Sequence, residues 1–289
     1  MSNPIRKAVF PVAGLGTRML PATKALPKEM LPVVDKPVIQ YALEEARAAG
    51  IEEFIFVTSR GKSLIEDHFD YGFELFETLK AKGKTKELDE LLSWLPKAGT
   101  VNFTRQQQPL GLGHAVWCAR HMVGDEPFAV VLVDDLMTGT PGCLAEMVEA
   151  HARTGGNIVA IEEVPQDQVN KYGVLDPGAD DGTLVEVKGL VEKPDIDVAP
   201  SNLTVVGRYI LSGAIFPLLE TQERGAGGEI QLTDSMAKLI DREPFHGLRF
   251  TGRRFDCGKK LGYLEAIVAC GMDRPDVAAG LQDIVRQYV

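Results

Sequence analysis

Pro21, Pro27, Pro32 and Pro37 all fall in one stretch, residues 11–37, directly after the first apolar run of the chain. Each proline fixes φ and lacks an N–H, so the stretch cannot continue as helix or interior strand. It has to be a long loop, and long loops inside compact domains commonly serve function. This one carries Gly14, Gly16, Arg18, Lys24 and Lys28. Free backbone N–H groups beside glycines, with an arginine and two lysines, suit a polyphosphate.

The rest of the chain supplies a frame for such a loop. Apolar runs at residues 7–12, 54–58, 101–105, 128–133 and 158–163 predict strands. Helical periodicity at 38–49, 62–69, 114–122 and 143–154 separates them. Residues 72–95 predict a charged, solvated helical insertion. Strands alternating with helices at this spacing point to a parallel, doubly wound arrangement. Beyond residue 165 strand-like runs at 182–191, 203–211 and 245–251 alternate with Pro/Gly turns and with helices at 213–220, 231–241, 259–270 and 276–287. The expected fold is α/β: a Rossmann-like doubly wound mixed sheet with a small β-rich subdomain and a helical C-terminus. Residues 1–289 are expected to form one domain, divided at about 164 and 254. Ligands of open α/β sheets lie at the carboxyl ends of strands; Gly14–Arg18, Gln106–Gly113 and Asp134 all follow strand ends.

A chain of 289 residues, 45% hydrophobic, can bury a large core, and its formal charge of −10 argues against non-specific nucleic-acid binding. A single nucleotide needs only a local positive patch. Cys118, Cys143, Cys257 and Cys270 make no CxxC pair, so reduced thiols in a cytoplasmic protein are expected. No stretch reaches the ~18 apolar residues of a membrane span, and nothing points to export.

Two familiar motifs fail. Gly14-x-Gly16 would need a third glycine where Met19 stands, and no helix opens there. Gly-Lys-Ser at 61–63 and Gly-Lys-Thr at 83–85 lack the leading glycine of a phosphate loop, so both are expected to be accidental.

The whole stretch AGLGTRMLPATKALPKEMLPVVDKP instead resembles the signature of sugar-nucleotidyltransferases, most closely the bacterial UTP–glucose-1-phosphate uridylyltransferases. The resemblance continues in order through QQQPLGLGHAV, VLVDDL, KYGVL, VEKP, VVGRYIL, GEIQLTD and FDCGKKLGYLEA, over residues 5–271. It implies a Mg²⁺-dependent enzyme acting on UTP and glucose 1-phosphate, as a homodimer or homotetramer. Ala13, Gly14, Gly16 and Thr17 would meet the nucleotide. Arg18 and Lys28 would neutralise charge at the phosphates, and Gln106 with the backbone of Gly111 would read the uracil edge, whose donor and acceptor match an amide. Asp134 and Asp256 would hold Mg²⁺, a cation that favours one or two carboxylates plus phosphate oxygens. Gly173, Glu192, Lys193 and Tyr209 would meet the sugar phosphate. Family enzymes often carry Pro or Gly before the aspartate pair, where Val133 stands here.

Residue by residue, plainer roles compete. Lys24 reads nearly as well as a solvated lysine, Asp135 reads best as a cap, and Tyr209 reads equally as a core aromatic. Thr233 and Asp234 are expected only to cap or brace a helix. None of the five histidines is placed like a general base. That fits a sugar phosphate, whose second pKa of ~6 leaves it a dianionic nucleophile at neutral pH. Two alternatives follow from the same resemblance, a glucose-1-phosphate thymidylyltransferase and a non-catalytic nucleotide-binding subunit. A dinucleotide-dependent oxidoreductase is more distant.

Overall fold

The first apolar run becomes β1 (Lys7–Pro11). A computed structural model describes residues 3–288 of the chain; residues 1, 2 and 289, the ends of the expected 1–289 domain, lie outside the described residues. From β1 the chain passes through the short pair β2 (Pro32–Val33) and β3 (Lys36–Pro37) to α1 (Val38–Ala48), β4 (Glu53–Thr58) and α2 (Ser63–Phe69). Then come α3 (Phe73–Ala81), α4 (Thr85–Trp94), β5 (Val101–Arg105), α5 (Leu112–Cys118), α6 (Arg120–Val123), β6 (Phe128–Val131) and β7 (Asp135–Thr138). The middle holds α7 (Cys143–Thr154), β8 (Asn157–Glu163), β9 (Gly173–Asp180), β10 (Leu184–Glu192) and β11 (Leu203–Leu211). The chain closes with α8 (Ile215–Glu220), α9 (Leu232–Ile240), β12 (Phe245–Arg249), β13 (Arg253–Asp256), α10 (Lys260–Met272) and α11 (Ala278–Arg286).

Nine strands form one mixed sheet in the order β5-β4-β1-β6-β11-β8-β12-β10-β9. The first four pair in parallel, as the β/α alternation predicts. The parallel run does not continue into residues 158–163, however. Strand β11, from much later in the chain, pairs antiparallel with β6 on one side and β8 on the other. That insertion makes the sheet mixed and brings the second half of the chain beside the first. Strands β7, β9 and β13 are absent from the expected set because each is short, polar or glycine-rich and lacks an apolar run.

Alternate residues of a strand face opposite sides. In β1, Ala8 and Phe10 join the core under α1, α7 and α10, where Phe10 and Phe56 stack at 4.7 Å. Val9 joins the opposite core with residues of α5, α8 and α9. Burial on both faces explains why the parallel strands read as continuous apolar runs. The insertion is solvated as expected: α3 buries only Phe76 and α4 buries nothing, and stacking of Trp94 on His68 at 4.8 Å ties its end down. No helix among the described residues is long and apolar enough to cross a membrane.

Candidate active site

The proline-rich loop leaves β1 at the carboxyl edge of the parallel strands. It holds no long helix, but Thr17–Met19, Ala22–Lys24 and Lys28–Met30 make three 3-10 turns. Gly16 takes φ +67°, and a Cβ there would stand 3.1 Å from Lys28 Cβ. Thr23 Oγ1 donates to Gly16 O at 2.7 Å, and Ser59 Oγ, just past β4, donates to Ala13 O at 3.0 Å. These bonds fold the loop back over the strand ends. The third turn carries Lys28 inward, where its Nζ meets Asp134 Oδ2 at 2.6 Å.

Asp134 follows β6. Burial alone would raise its carboxyl, but the Lys28 ammonium holds it below the ordinary carboxylate range. In return, burial would lower Lys28, and the carboxylates of Asp134 and Glu29 override it and raise the lysine. Asp256 arrives through β13, which pairs antiparallel with β7 so that Asp256 stands opposite Asp135. Cys257 N then donates to Asp134 O at 2.7 Å. A Cβ on Gly258 would lie 2.9 Å from Asp134 Oδ2 and 3.1 Å from Asp256 Oδ1. Both carboxylates therefore crowd one backbone position that glycine leaves open. Asp256 Oδ2 also meets Lys259 Nζ at 2.6 Å.

Asp135 is not the cap expected of it. It opens β7, where Oδ2 accepts from Gly207 N at 3.0 Å and Oδ1 pairs with Arg254 Nη2 at 2.7 Å. Burial pushes its carboxyl up, with Arg254 opposing. The carboxylate thus ties β13 to β11 directly beside Asp134.

At the glutamine end, buried Gln106 donates from Nε2 to Gly111 O at 2.9 Å. Gly111 takes φ +105°, and a Cβ there would lie 2.7 Å from Glu229 Cβ and 2.9 Å from Ile230 O. Ile230 N donates to Leu110 O at 2.6 Å, and Gly113 N donates to Ile230 O at 2.9 Å. Residues 229–231 thereby close on the loop that opens α5.

At the other end, Lys193 Nζ pairs with Glu192 Oε1 at 3.0 Å, and Lys193 N donates to Tyr172 O at 2.9 Å. Lys193 sits at φ +46°, a conformation that costs a non-glycine residue about 1 kcal/mol or more. A Cβ on Gly173 would lie 3.1 Å from Thr233 Oγ1 and 3.4 Å from Glu192 Oε2. Tyr209 packs in the second core, and its surface reaches the cleft. Burial raises its hydroxyl. Its neighbour Arg208 faces away from the cleft, as strand alternation requires.

The groups expected to meet substrate line one cleft of 930 Å³. Ala13, Gly14, Gly16, Thr17, Arg18, Lys28, Gln106, Gly111, Asp134, Gly173, Glu192, Lys193, Tyr209 and Asp256 are each on its wall. Lys24 is not; it is exposed outside. The wall also includes Asp135, Glu229, Thr233, Arg254 and Lys259, to which sequence reasoning gave no chemistry. Arg254 lies two residues before Asp256 in β13 and so shares its face, but the short polar run of β13 gives the sequence no strand signal from which to read this. Nothing local marks Glu229.

The model of the nucleotidyl transferase family matches residues 7–271. A UTP–glucose-1-phosphate uridylyltransferase of Komagataeibacter xylinus is 54% identical over 90% of this chain and 92% of its own length. One from Bacillus subtilis strain 168 is 50% identical over 93% of this chain and 91% of its own. Among solved structures, a UTP-bound UGPase from Acinetobacter baumannii superposes with a TM-score of 0.91 at 43% identity, covering 99% of this chain and 100% of that one. A UDP-glucose pyrophosphorylase complexed with UDP-glucose gives 0.83 at 42% identity, over 93% and 100%. The family model spans most of the chain and the relatives cover nearly all of it, so the chain belongs to the nucleotidyl transferase family.

Proposed function

We propose that this chain transfers the uridylyl group of UTP to α-D-glucose 1-phosphate, giving UDP-glucose and pyrophosphate. The observation that carries the reading is convergence: the Gly14–Arg18 loop, Gln106 with Gly111, Asp134 with Asp256, and Glu192 with Lys193 line one cleft. Relatives named for this activity and covering nearly the whole chain support it, as does the likeness to structures holding UTP and UDP-glucose.

The sugar-phosphate oxygen attacks the α-phosphorus of UTP in line. The new P–O bond forms as the α–β bridging P–O bond breaks, and its electron pair leaves with pyrophosphate. The nucleophile is already ionised, so no base is needed, and positioning with charge neutralisation supplies the acceleration. Ala13, Gly14, Gly16 and Thr17 let the backbone approach the nucleotide, and Gln106 with Gly111 recognises the uracil edge. Arg18 and Lys28 offset charge on the triphosphate side, Lys193 on the sugar-phosphate side. Gly173, Glu192 and Tyr209 contact the sugar phosphate.

The two carboxylates crowded around Gly258 fit a hard divalent cation, with remaining positions left to phosphate oxygens and water. Asp134 and Asp256 would hold Mg²⁺, which would supply charge neutralisation on the phosphates when bound. We assign the chain to one cytoplasmic domain, with residues 1–164 serving the nucleotide, 165–254 the sugar phosphate, and 255–289 the second aspartate and closing helices. Exposed Leu261, Leu264 and Val268, at helical spacing on α10, support a homo-oligomer.

A thymidylyltransferase is the other reading within the class. One solved structure described as a putative glucose-1-phosphate thymidylyltransferase, from Bacillus anthracis, is 19% identical with a TM-score of 0.68 and speaks for the fold alone. Pyrophosphate release measured with UTP and with dTTP will favour UTP at least tenfold in kcat/KM; a dTTP preference would defeat the uridylyl assignment. Gly111→Ala will meet both a positive φ and the 2.7 Å approach of Glu229 Cβ. Its KM for UTP will rise by about tenfold or more, in keeping with the 1–3 kcal/mol cost of such strain; a wild-type KM would remove Gly111 from the nucleotide contacts.

A further inference from the structure

We infer that the buried ion pair between Lys62 and Glu29 is the device that positions Lys28 in the cleft, which makes Lys62 a positioning residue for the transfer. The inference rests on the role proposed for Lys28 above. Lys62 belongs to the Gly-Lys-Ser stretch that is no phosphate loop. It stands at the N-terminal end of α2, beyond Gly61 at φ +82°. From there Lys62 Nζ reaches Glu29 Oε2 at 2.6 Å, with the two side chains 8% and 1% exposed.

Glu29 and Lys28 are consecutive residues of one 3-10 turn, Lys28–Met30. One points into the protein and the other into the cleft, so a shift of the Glu29 carboxylate moves the Lys28 ammonium with it. The backbone bonds of the turn, Met30 N to Pro27 O and Leu31 N to Lys28 O, stay within the loop itself. Beyond the Lys28–Asp134 contact, the Lys62–Glu29 pair and the packing of Met30 on the core, no other hydrogen bond or ion pair among the described residues holds it. The Lys62–Glu29 pair ties it to the corner between β4 and α2.

Stability is a poor reason for such a pair. Buried ion pairs often contribute no more than well-packed apolar side chains of similar volume. Here Glu29 Oε1 is buried with no hydrogen-bond partner among the described residues, which costs more still. The cost is explained if the pair fixes where the neighbouring cation stands, because a displacement of ~1 Å at a reacting centre can cost about a hundredfold in rate.

The test is the double replacement Glu29→Met with Lys62→Met, measured beside Lys28→Met. The double variant will keep a melting temperature within a few degrees of the parent, while kcat for UDP-glucose formation falls by at least tenfold and KM for glucose 1-phosphate stays within about threefold. A purely structural pair would lower the melting temperature and leave kcat alone. Glu29→Gln, which keeps an acceptor for Lys62 but not the charge, will lower kcat at least threefold, and it decides the matter should the double variant fail to fold. A folded variant with parental kcat overturns the inference. Lys28→Met separates the two failures: parental activity there removes the role given to Lys28 itself. An enzyme that needs Lys28 but ignores the pair overturns only the positioning.

Discussion

Asp134→Asn will lower kcat for UDP-glucose formation on the order of 10³-fold, with the fold intact. Asparagine keeps the size of the side chain and can still accept a hydrogen bond from Lys28, so packing at the end of β6 is preserved. What is lost is the charge that faces Lys28 Nζ at 2.6 Å. Also lost is one of the two carboxylates that crowd Gly258. Preorganised charge in an active site is worth about 10²–10³ per group removed, and an anionic metal donor belongs at the upper end of that range. Steady-state pyrophosphate release at saturating UTP and glucose 1-phosphate, with a thermal melt on the same sample, checks both halves. Unchanged turnover would overturn the metal role proposed for Asp134.

The largest stability effect belongs to a residue outside the cleft. Arg208→Met will destabilise the fold by about 3–5 kcal/mol and lower the melting temperature by about 10 °C. Arg208 is fully buried and spends its guanidinium on three partners. Nε and Nη2 pair with Glu45, the latter at 2.6 Å, and Nη1 donates to Leu132 O and Gly207 O at 2.9 Å each. Glu45 Oε1 in turn accepts from Leu144 N at 3.1 Å. One guanidinium thus joins α1, β11, the start of α7 and the chain just before Asp134. Methionine would strand the Glu45 carboxylate in the core, which is the costly half of breaking such a pair. Adding Glu45→Met will therefore restore more than half of the lost stability by chemical denaturation. A single variant as stable as the parent would mean that the pair is dispensable.

The two replacements also show what the sequence could carry. The loop was legible because prolines, glycines and cations speak locally: four prolines exclude α-helix and interior strand, leaving the 3-10 turns and the two-residue pair β2 and β3 that the fold contains. The parallel strands were legible because burial on both faces leaves unbroken apolar runs. Asp134, at the end of such a run, had one place to go. The position of β11 between β6 and β8 was not legible, because pairing partners distant in sequence leave no local mark. The same holds for β13 against β7, a four-residue ladder that brings Asp256 to Asp134, and for Asp135, whose role depends on Arg254 and Gly207 arriving from elsewhere. Lys62 looked accidental for that reason too: its partner is Glu29, and only the folded corner brings them together. Family resemblance pointed to Asp256, and to Glu192 and Lys193, a pair whose local sequence reads as an ordinary solvated edge. It reached Arg208 only as part of the VVGRYIL stretch likened to the sugar-phosphate half of the site, and not its partner Glu45, which lies on a helix with no chemical motif.

The most direct test of the account is to incubate the purified protein with UTP, glucose 1-phosphate and Mg²⁺ and to resolve the products by anion-exchange chromatography. UDP-glucose and pyrophosphate will appear in equal amounts, and only when both substrates are present. Pyrophosphate without UDP-glucose, or neither product, would contradict the assignment of a two-substrate uridylyl-transfer site to this cleft.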